Sequence, residues 1–168
     1  DIDSSDFSFP GETDNNKVIS DIMEEQEVSP KYYLSNVYLD SLIRHKERHE
    51  SKGNGFGYEI KKLDEIANTL VCGGMGRERN LIIDRRLTDF TPVTHIKGEI
   101  NREYIRKMTP REWARLQGFP DDFKFVVADT HLYKQFGNSV TVSVIKAIAG
   151  NIKRVLDLQS KKERKYYA

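Results

Sequence analysis

The run Arg106-Lys-Met-Thr-Pro-Arg-Glu-Trp-Ala-Arg-Leu-Gln-Gly-Phe-Pro120 leaves its backbone little choice. Thr109 and Glu112 stand in capping-box order: the threonine caps a helix and the glutamate reaches back to it. Pro110 fills the first helical position, where its missing N–H costs nothing, and Gly118 ahead of Phe119-Pro120 stops the helix within three turns. Trp113 and Leu116 then face a core while Arg111 and Arg115 form a solvated side. The result is a short, sharply bounded helix that carries no chemistry of its own.

A second constrained run follows, Tyr133-Lys-Gln-Phe-Gly-Asn-Ser-Val140. Val142, Ile145, Ala149, Ile152 and Leu156 come next at helical spacing, widened by Val144 and Ile148. The pattern predicts a tight polar turn that delivers Asn138 and Ser139 to the mouth of that helix. Free backbone N–H groups of a first helical turn, a hydroxyl and an amide can hold hydroxyl, amine or carboxylate groups of a small ligand.

Upstream, Phe7-Ser-Phe-Pro10 and the polar stretch to Asn16 read as a loop. Val18, Ile19, Ile22 and Met23 make one apolar helical stripe, too short to be stable without packing, and Ser29-Pro30 breaks it. Ser35 caps a helix striped by Tyr38, Leu39, Leu42 and Ile43, with a basic end at Arg44–His49. His45 and His49 lie one turn apart, but neighbouring Arg and Lys disfavour a cation and no third ligand is near. No metal site is expected.

From Gly53 to Arg86 the period changes to strands and loops. Phe56, Tyr58 and Ile60 alternate with glycine, glutamate and lysine, and Thr69–Val71 and Leu81–Ile83 supply β-prone runs between glycine-rich turns. Glycines at 53, 55, 57, 73, 74 and 76 permit close backbone approach. Arg77 and Arg79 beside such a turn suit guanine edges or phosphates.

Charge supports an anionic partner. The whole chain carries +1, yet residues 1–27 hold nine acidic groups and one lysine, which leaves residues 28–168 strongly positive. One cysteine excludes an intrachain disulfide, and no apolar run approaches the ~20 residues of a membrane span. A soluble intracellular protein without a membrane partner is expected.

Thr109-Pro-Arg-Glu-x-Ala-Arg-Leu-Gln-Gly-Phe-Pro-Asp121 resembles the ninth motif of the DNA (cytosine-5) methyltransferases, and Tyr133–Val140 their tenth. Gly53-Asn-Gly-Phe-Gly-Tyr58 and Asn68-Thr-Leu-Val-Cys-Gly-Gly-Met-Gly76 are similar to their recognition region, most of all in bacterial Dcm-type enzymes. The family's Phe-x-Gly-x-Gly loop, Pro-Cys nucleophile, Glu-Asn-Val acid and Gln-x-Arg-x-Arg motif do not occur in this sequence. Cys72, between Val71 and a Gly-Gly pair, is not read as the nucleophile. The resemblance therefore implies the C-terminal part of such an enzyme, a split subunit or a truncated piece. No catalytic residue is expected here, and the chain alone is expected to be inactive.

Residue by residue, the resemblance implies a DNA-entering loop at Gly55, Phe56 and Gly57, with Phe56 filling the space left by a flipped cytosine. It implies a phosphate contact at Thr69-Leu70 and a second recognition loop at Gly73–Arg79. Gly76, Arg77 and Arg79 are candidate contacts there, and Glu59 and Glu78 are possible acceptors from cytosine amino groups. Asn138, Ser139 and Val140 are expected to touch S-adenosylmethionine once the missing catalytic portion is present, and Thr109, Glu112, Arg115 and Gln117 to support the recognition region. The implied partners are double-stranded DNA and that catalytic portion. The implied setting is the bacterial cytoplasm and nucleoid, or a phage-encoded protein, in restriction-modification or Dcm-type methylation.

The expected fold class is α+β. A small target-recognition domain of short strands and helices over 1–128 includes the ninth-motif helix. Residues 129–156 carry the tenth-motif turn and a helix that belongs to an absent α/β Rossmann-like catalytic domain, and 157–168 form a charged, frayed tail. The rival reading is a stand-alone DNA-binding module without catalysis; a purely structural protein is a third.

Overall fold

Strand β2 (Leu81–Ile83) lies between β1 (Ile60–Lys61), to which it is parallel, and β3 (Ile105–Lys107), to which it is antiparallel. Successive side chains of a strand face opposite layers. Leu81 accordingly packs with Leu34, Ile105 and the Leu39 and Leu42 stripe of α2 (Asn36–Glu50). Ile82 packs with Ile19 and Ile22 of α1 (Ile19–Ile22), Trp113 of α3 (Pro110–Leu116) and Leu132 and Phe136 of α4 (Asp129–Asn138). The computed structural model describes residues 6–11, 17–93 and 96–166, with backbone alone for 162–166.

The caps form as the sequence dictates. The Ser35 hydroxyl accepts from the Tyr38 N–H at 3.2 Å. In α3, the Thr109 hydroxyl accepts from the Glu112 N–H at 3.2 Å and the Thr109 N–H donates to the Glu112 carboxylate at 2.8 Å. Met108, just ahead of the cap, and Trp113 share one core cluster, which staples the entry of the chain into the helix.

Glu112 has a further partner that the capping pattern does not reveal. The Arg106 guanidinium is fully buried and donates to both Glu112 oxygens, at 2.7 and 2.8 Å. Its Nε donates to Asp84 at 2.8 Å, and Asp84 also accepts from the fork of Arg86 at 2.7 and 2.8 Å. Arg86 in turn donates to the carbonyls of Glu24 and Glu25 at 2.6 and 2.9 Å. Two carboxylates and two guanidinium groups thus join β3, the segment after β2, α3 and the strap after α1. Burial opposes ionisation of Asp84, but Arg86 hydrogen bonds and the Arg106 charge outweigh it and hold its carboxyl at about 2.

Three expectations are corrected. Thr69–Val71 is not a strand, because side-chain amides replace the ladder. The Asn68 N–H donates to the Asn80 carboxamide at 2.7 Å, and the Asn80 amide donates back to the Asn68 carbonyl at 3.1 Å. Regular pairing in the 56–60 stretch begins only at Ile60, and β3 arises instead at residues whose charges pointed away from a strand.

Tyr133–Asn138 are the closing turns of α4, not a polar turn. Leu132, Tyr133 and Phe136 make an apolar stripe that the Gly-Asn-Ser sequence masks, and it packs in the cluster of α3. The first compact unit, Asn16–Ser139, therefore extends past the expected limit at 128.

The second unit, Asp1–Asn15 with Val140–Ala168, contains α5 (Val142–Tyr166). This helix continues through Lys161–Lys165, where fraying was expected, because Lys, Glu and Arg are strong helix formers. Val155 is buried while Ile145, Ile152 and Leu156 stay half exposed. Phe7–Pro10 is irregular as expected; 12–16 of the expected loop lie outside the described residues.

The clamp has an acid signature. Asp84 titrates near 2 when folded and near 3.8 when unfolded, so its stabilising contribution is complete above pH 4 and is lost as pH falls toward 2. At 1.36 kcal/mol per unit the loss is about 2 kcal/mol. Urea unfolding across that pH range is expected to show it, and Asp84→Asn is expected to remove that step while lowering stability at pH 7.

Candidate nucleic-acid interface

The two glycine-rich segments meet at one cavity of about 430 Å³. Gly55–Gly57 and Gly73–Gly76 form its rims, and His45 and His49 from the basic end of α2 form a wall. The two imidazoles lie tilted against each other at 4.4 Å, and His49 meets the Phe56 ring edge-on at 6.0 Å. Desolvation first, then the charges of His45, Arg48 and Lys52, push the His49 pKa below its ordinary value, so its ring is neutral at pH 7 and suits stacking. Phe56 itself is 66% exposed, the state required of a side chain that enters another molecule. The fold thus brings the two histidines of the basic helix end to the loop, which their helical spacing alone does not indicate.

Arg77, Glu78 and Arg79 lie in a 3-10 turn, Gly76–Asn80. Glu78 is only 2% exposed, and its carboxylate accepts from the Tyr38 hydroxyl and pairs with Lys107, both at 2.9 Å. It holds the turn to α2 and β3 and is not free to accept from a base, contrary to expectation. Arg79 remains exposed, 3.8 Å from Glu59. An Asn68 amide hydrogen bond first, then Lys61, hold the Glu59 carboxyl below its usual range against burial. Glu59 therefore stays anionic and orients Arg79.

Two other predicted contacts turn inward. Leu70 is 8% exposed and packs in the main core, so its side chain cannot reach DNA, whereas Thr69 beside it is exposed. Gly76 is buried because the Val71 carbonyl passes so close that a Cβ at 76 would stand 2.1 Å from its oxygen. Its role is to let the recognition segment cross itself.

Arg77 is held on α4. Its guanidinium lies 5.3 Å from the centre of the Tyr133 ring. The Tyr133 hydroxyl donates to the Met108 carbonyl at 2.5 Å, and Trp113 meets the ring edge-on at 5.0 Å. Burial, above all, keeps that hydroxyl protonated well past its ordinary range. Gly137 brings α4 against the same loop: a Cβ there would be 3.0 Å from the Cys72 nitrogen. Tyr133 was not expected against this loop; the one available signal was the spacing of Leu132, Tyr133 and Phe136.

Asn138 and Ser139 stand at the C-terminal end of α4, not at the mouth of the following helix. That end is the negative pole of a helix, so it favours an ammonium or another donor over a carboxylate. The Ser139 hydroxyl donates to the Phe136 carbonyl at 2.8 Å and keeps its lone pairs as acceptors. Asn138 is exposed, and Val140 opens the second unit. The Gln117 amide donates to the Phe136 carbonyl at 2.8 Å and ties the end of α3 to α4. Arg115, expected on a solvated face, instead donates to the Met23 carbonyl at 2.5 Å and pairs with Asp121 at 2.7 Å.

A family model described as C-5 cytosine-specific DNA methylase matches residues 2–154. The Type II methyltransferase M.HpaII of Haemophilus parainfluenzae is 64% identical over 146 residues, 87% of this chain and 41% of that protein. The Type II methyltransferase M1.ScrFI of Lactococcus lactis subsp. cremoris is 36% identical over 158 residues, 94% of this chain and 36% of that protein. This chain thus spans about two fifths of the length of these curated relatives. The solved structure of Entamoeba histolytica methyltransferase EhMeth is alike in fold, with a TM-score of 0.54 at 17% identity, over 89% of this chain and 43% of that one.

The crossing at Gly76 makes a direct test of this geometry. Gly76→Ala is expected to destabilise the chain by about 1–3 kcal/mol through forced backbone displacement, read as a lowered Tm. Gly55→Ala, which has open space around it, is expected to leave Tm unchanged.

Proposed function

Because the chain belongs to the C-5 cytosine-specific DNA methylase family, we propose that Asn16–Ser139 recognises duplex DNA and presents a flipped cytosine to a catalytic portion carried by another segment. The observation that carries this reading is the meeting of exposed Phe56 and Arg79 at one cavity rimmed by both glycine segments. Arg79, oriented by Glu59, reads a base edge in the groove; a bidentate contact of that kind discriminates by about 1–3 kcal/mol. Thr69 contacts the backbone beside the target nucleotide. Phe56 enters the stack, and its ring offsets part of the few kcal/mol that unstacking a base costs.

Asn138 and Ser139 are the residues that would hold S-adenosylmethionine, which supplies the methyl group when bound. An exposed carboxamide and a hydroxyl with free lone pairs, at the negative end of α4, fit the donor groups of an amino-acid moiety. They close one wall of a pocket whose other walls belong to the catalytic portion. There a cysteine thiolate attacks the sixth carbon of cytosine, the fifth carbon is methylated, and loss of its proton releases the thiolate. In this reading residues 16–139 choose the site, hold the vacated helix open and perform no bond-making step.

The chain mixed with a polypeptide bearing the Pro-Cys and Gly-rich motifs is expected to transfer labelled methyl to duplex DNA, while the chain alone transfers none. Arg79→Ala in the mixture is expected to lower methylation of the preferred sequence tenfold or more, about 1–3 kcal/mol, with far less effect on other sequences. Inactivity of a folded, DNA-binding mixture would count against the proposal.

A further inference from the structure

A second cavity, of about 200 Å³, lies between the Val71–Gly74 loop and α4. Arg77, His131 and Lys134 line it, and no Asp or Glu does. Two cationic side chains, Arg77 and Lys134, around one concavity without a counter-charge give it a positive potential. Neither Arg77 nor Lys134 has a carboxylate partner among the described residues, whereas Arg86, Arg106 and Arg115 are all paired. Tyr133 supplies the floor, and it is rigid because its hydroxyl is tied to the Met108 carbonyl and its ring is packed against Trp113. The Arg77 guanidinium, 5.3 Å from the centre of that ring, lines the cavity and is less free to search than an unstacked one.

We infer that this cavity is a phosphate site that grips the duplex backbone, with Arg77 and Lys134 as its charged contacts. The inference rests on the DNA-recognition reading and divides its labour: Arg77 positions the duplex, and Arg79, at the other cavity with Phe56, reads its sequence. Tyr133 acts as a positioning residue through Arg77, and it links α4 to the recognition turn. The chemistry recognised is a tetrahedral phosphate oxyanion; the source assigned is the phosphodiester, since a cavity wide enough for several waters at about 30 Å³ each opens beside the loops that meet DNA.

The full chain is titrated against a fluorescent pool of duplexes of randomised sequence over a series of NaCl concentrations. Arg77→Ala and Lys134→Ala are each expected to reduce the log–log salt slope by about 1 and to weaken all sequences alike. Lys134 is exposed on α4, so its variant tests the site even where the loss of Arg77 disturbs the turn. Tyr133→Phe, which keeps the ring, is expected to retain the wild-type slope, and Tyr133→Leu to reproduce the Arg77→Ala slope with no further loss in the double variant. A wild-type slope in Lys134→Ala, or loss confined to particular sequences, overturns the inference while leaving DNA recognition standing. No binding by the wild-type chain overturns both. If inorganic phosphate shows 31P line broadening with wild type but not with Lys134→Ala, and the DNA slopes are unchanged, the site takes a free anion and the backbone assignment falls.

Discussion

The buried Arg106 guanidinium is the constraint on which the first unit depends. It is anchored by Glu112 and Asp84, and through Asp84 and Arg86 it reaches the strap that follows α1. Removing one member of such a set leaves an uncompensated charge in the interior, which costs about 3–5 kcal/mol. The set is more than a stabilising pair, since it fixes where α3 sits on β3. Met108 and Trp113 follow from that placement, Tyr133 packs on Trp113, and Arg77 lies on Tyr133. A chain of contacts therefore runs from the buried Arg106 ion cluster to the residues that meet solvent.

The Gly76–Asn80 turn is held from two sides. Glu78 is drawn inward by Tyr38 and Lys107, so its neighbours Arg77 and Arg79 project to either side. Asn68 and Asn80 clasp the segment that carries Thr69 to the turn, and Gly76 lets Val71 pass beneath it. The exposed side chains thus stand on a turn held by internal hydrogen bonds and an ion pair. Such preorganisation reduces the ordering cost of binding.

Several local signals that act over four residues or fewer were legible. The Thr109–Glu112 capping box, the Ser35 cap and the Leu81–Ile83 strand follow directly from residue order. Family resemblance pointed to the two glycine segments and to Arg77 and Arg79; the meeting of those segments and Arg79 beside His45 and His49 had no local signal, because it is set by α2 packing on the sheet. Arg106 hid because a charged residue in a short run suggests solvent. Glu112 hid its second role behind its first. The 133–138 stretch misled in the opposite direction: Gly137-Asn138-Ser139 has turn chemistry, yet burial of Leu132, Tyr133 and Phe136 overrides it and the glycine serves close packing on Cys72.

The central claim is that this chain selects a DNA sequence through side chains mounted on an internally clamped frame. The most direct measurement is sequencing of the duplexes that the full chain retains from a randomised pool. The account predicts enrichment of one short motif by the wild type and a flattened preference at one position in Arg79→Ala. Retained duplexes indistinguishable from the input, or a motif unchanged by Arg79→Ala, would contradict it.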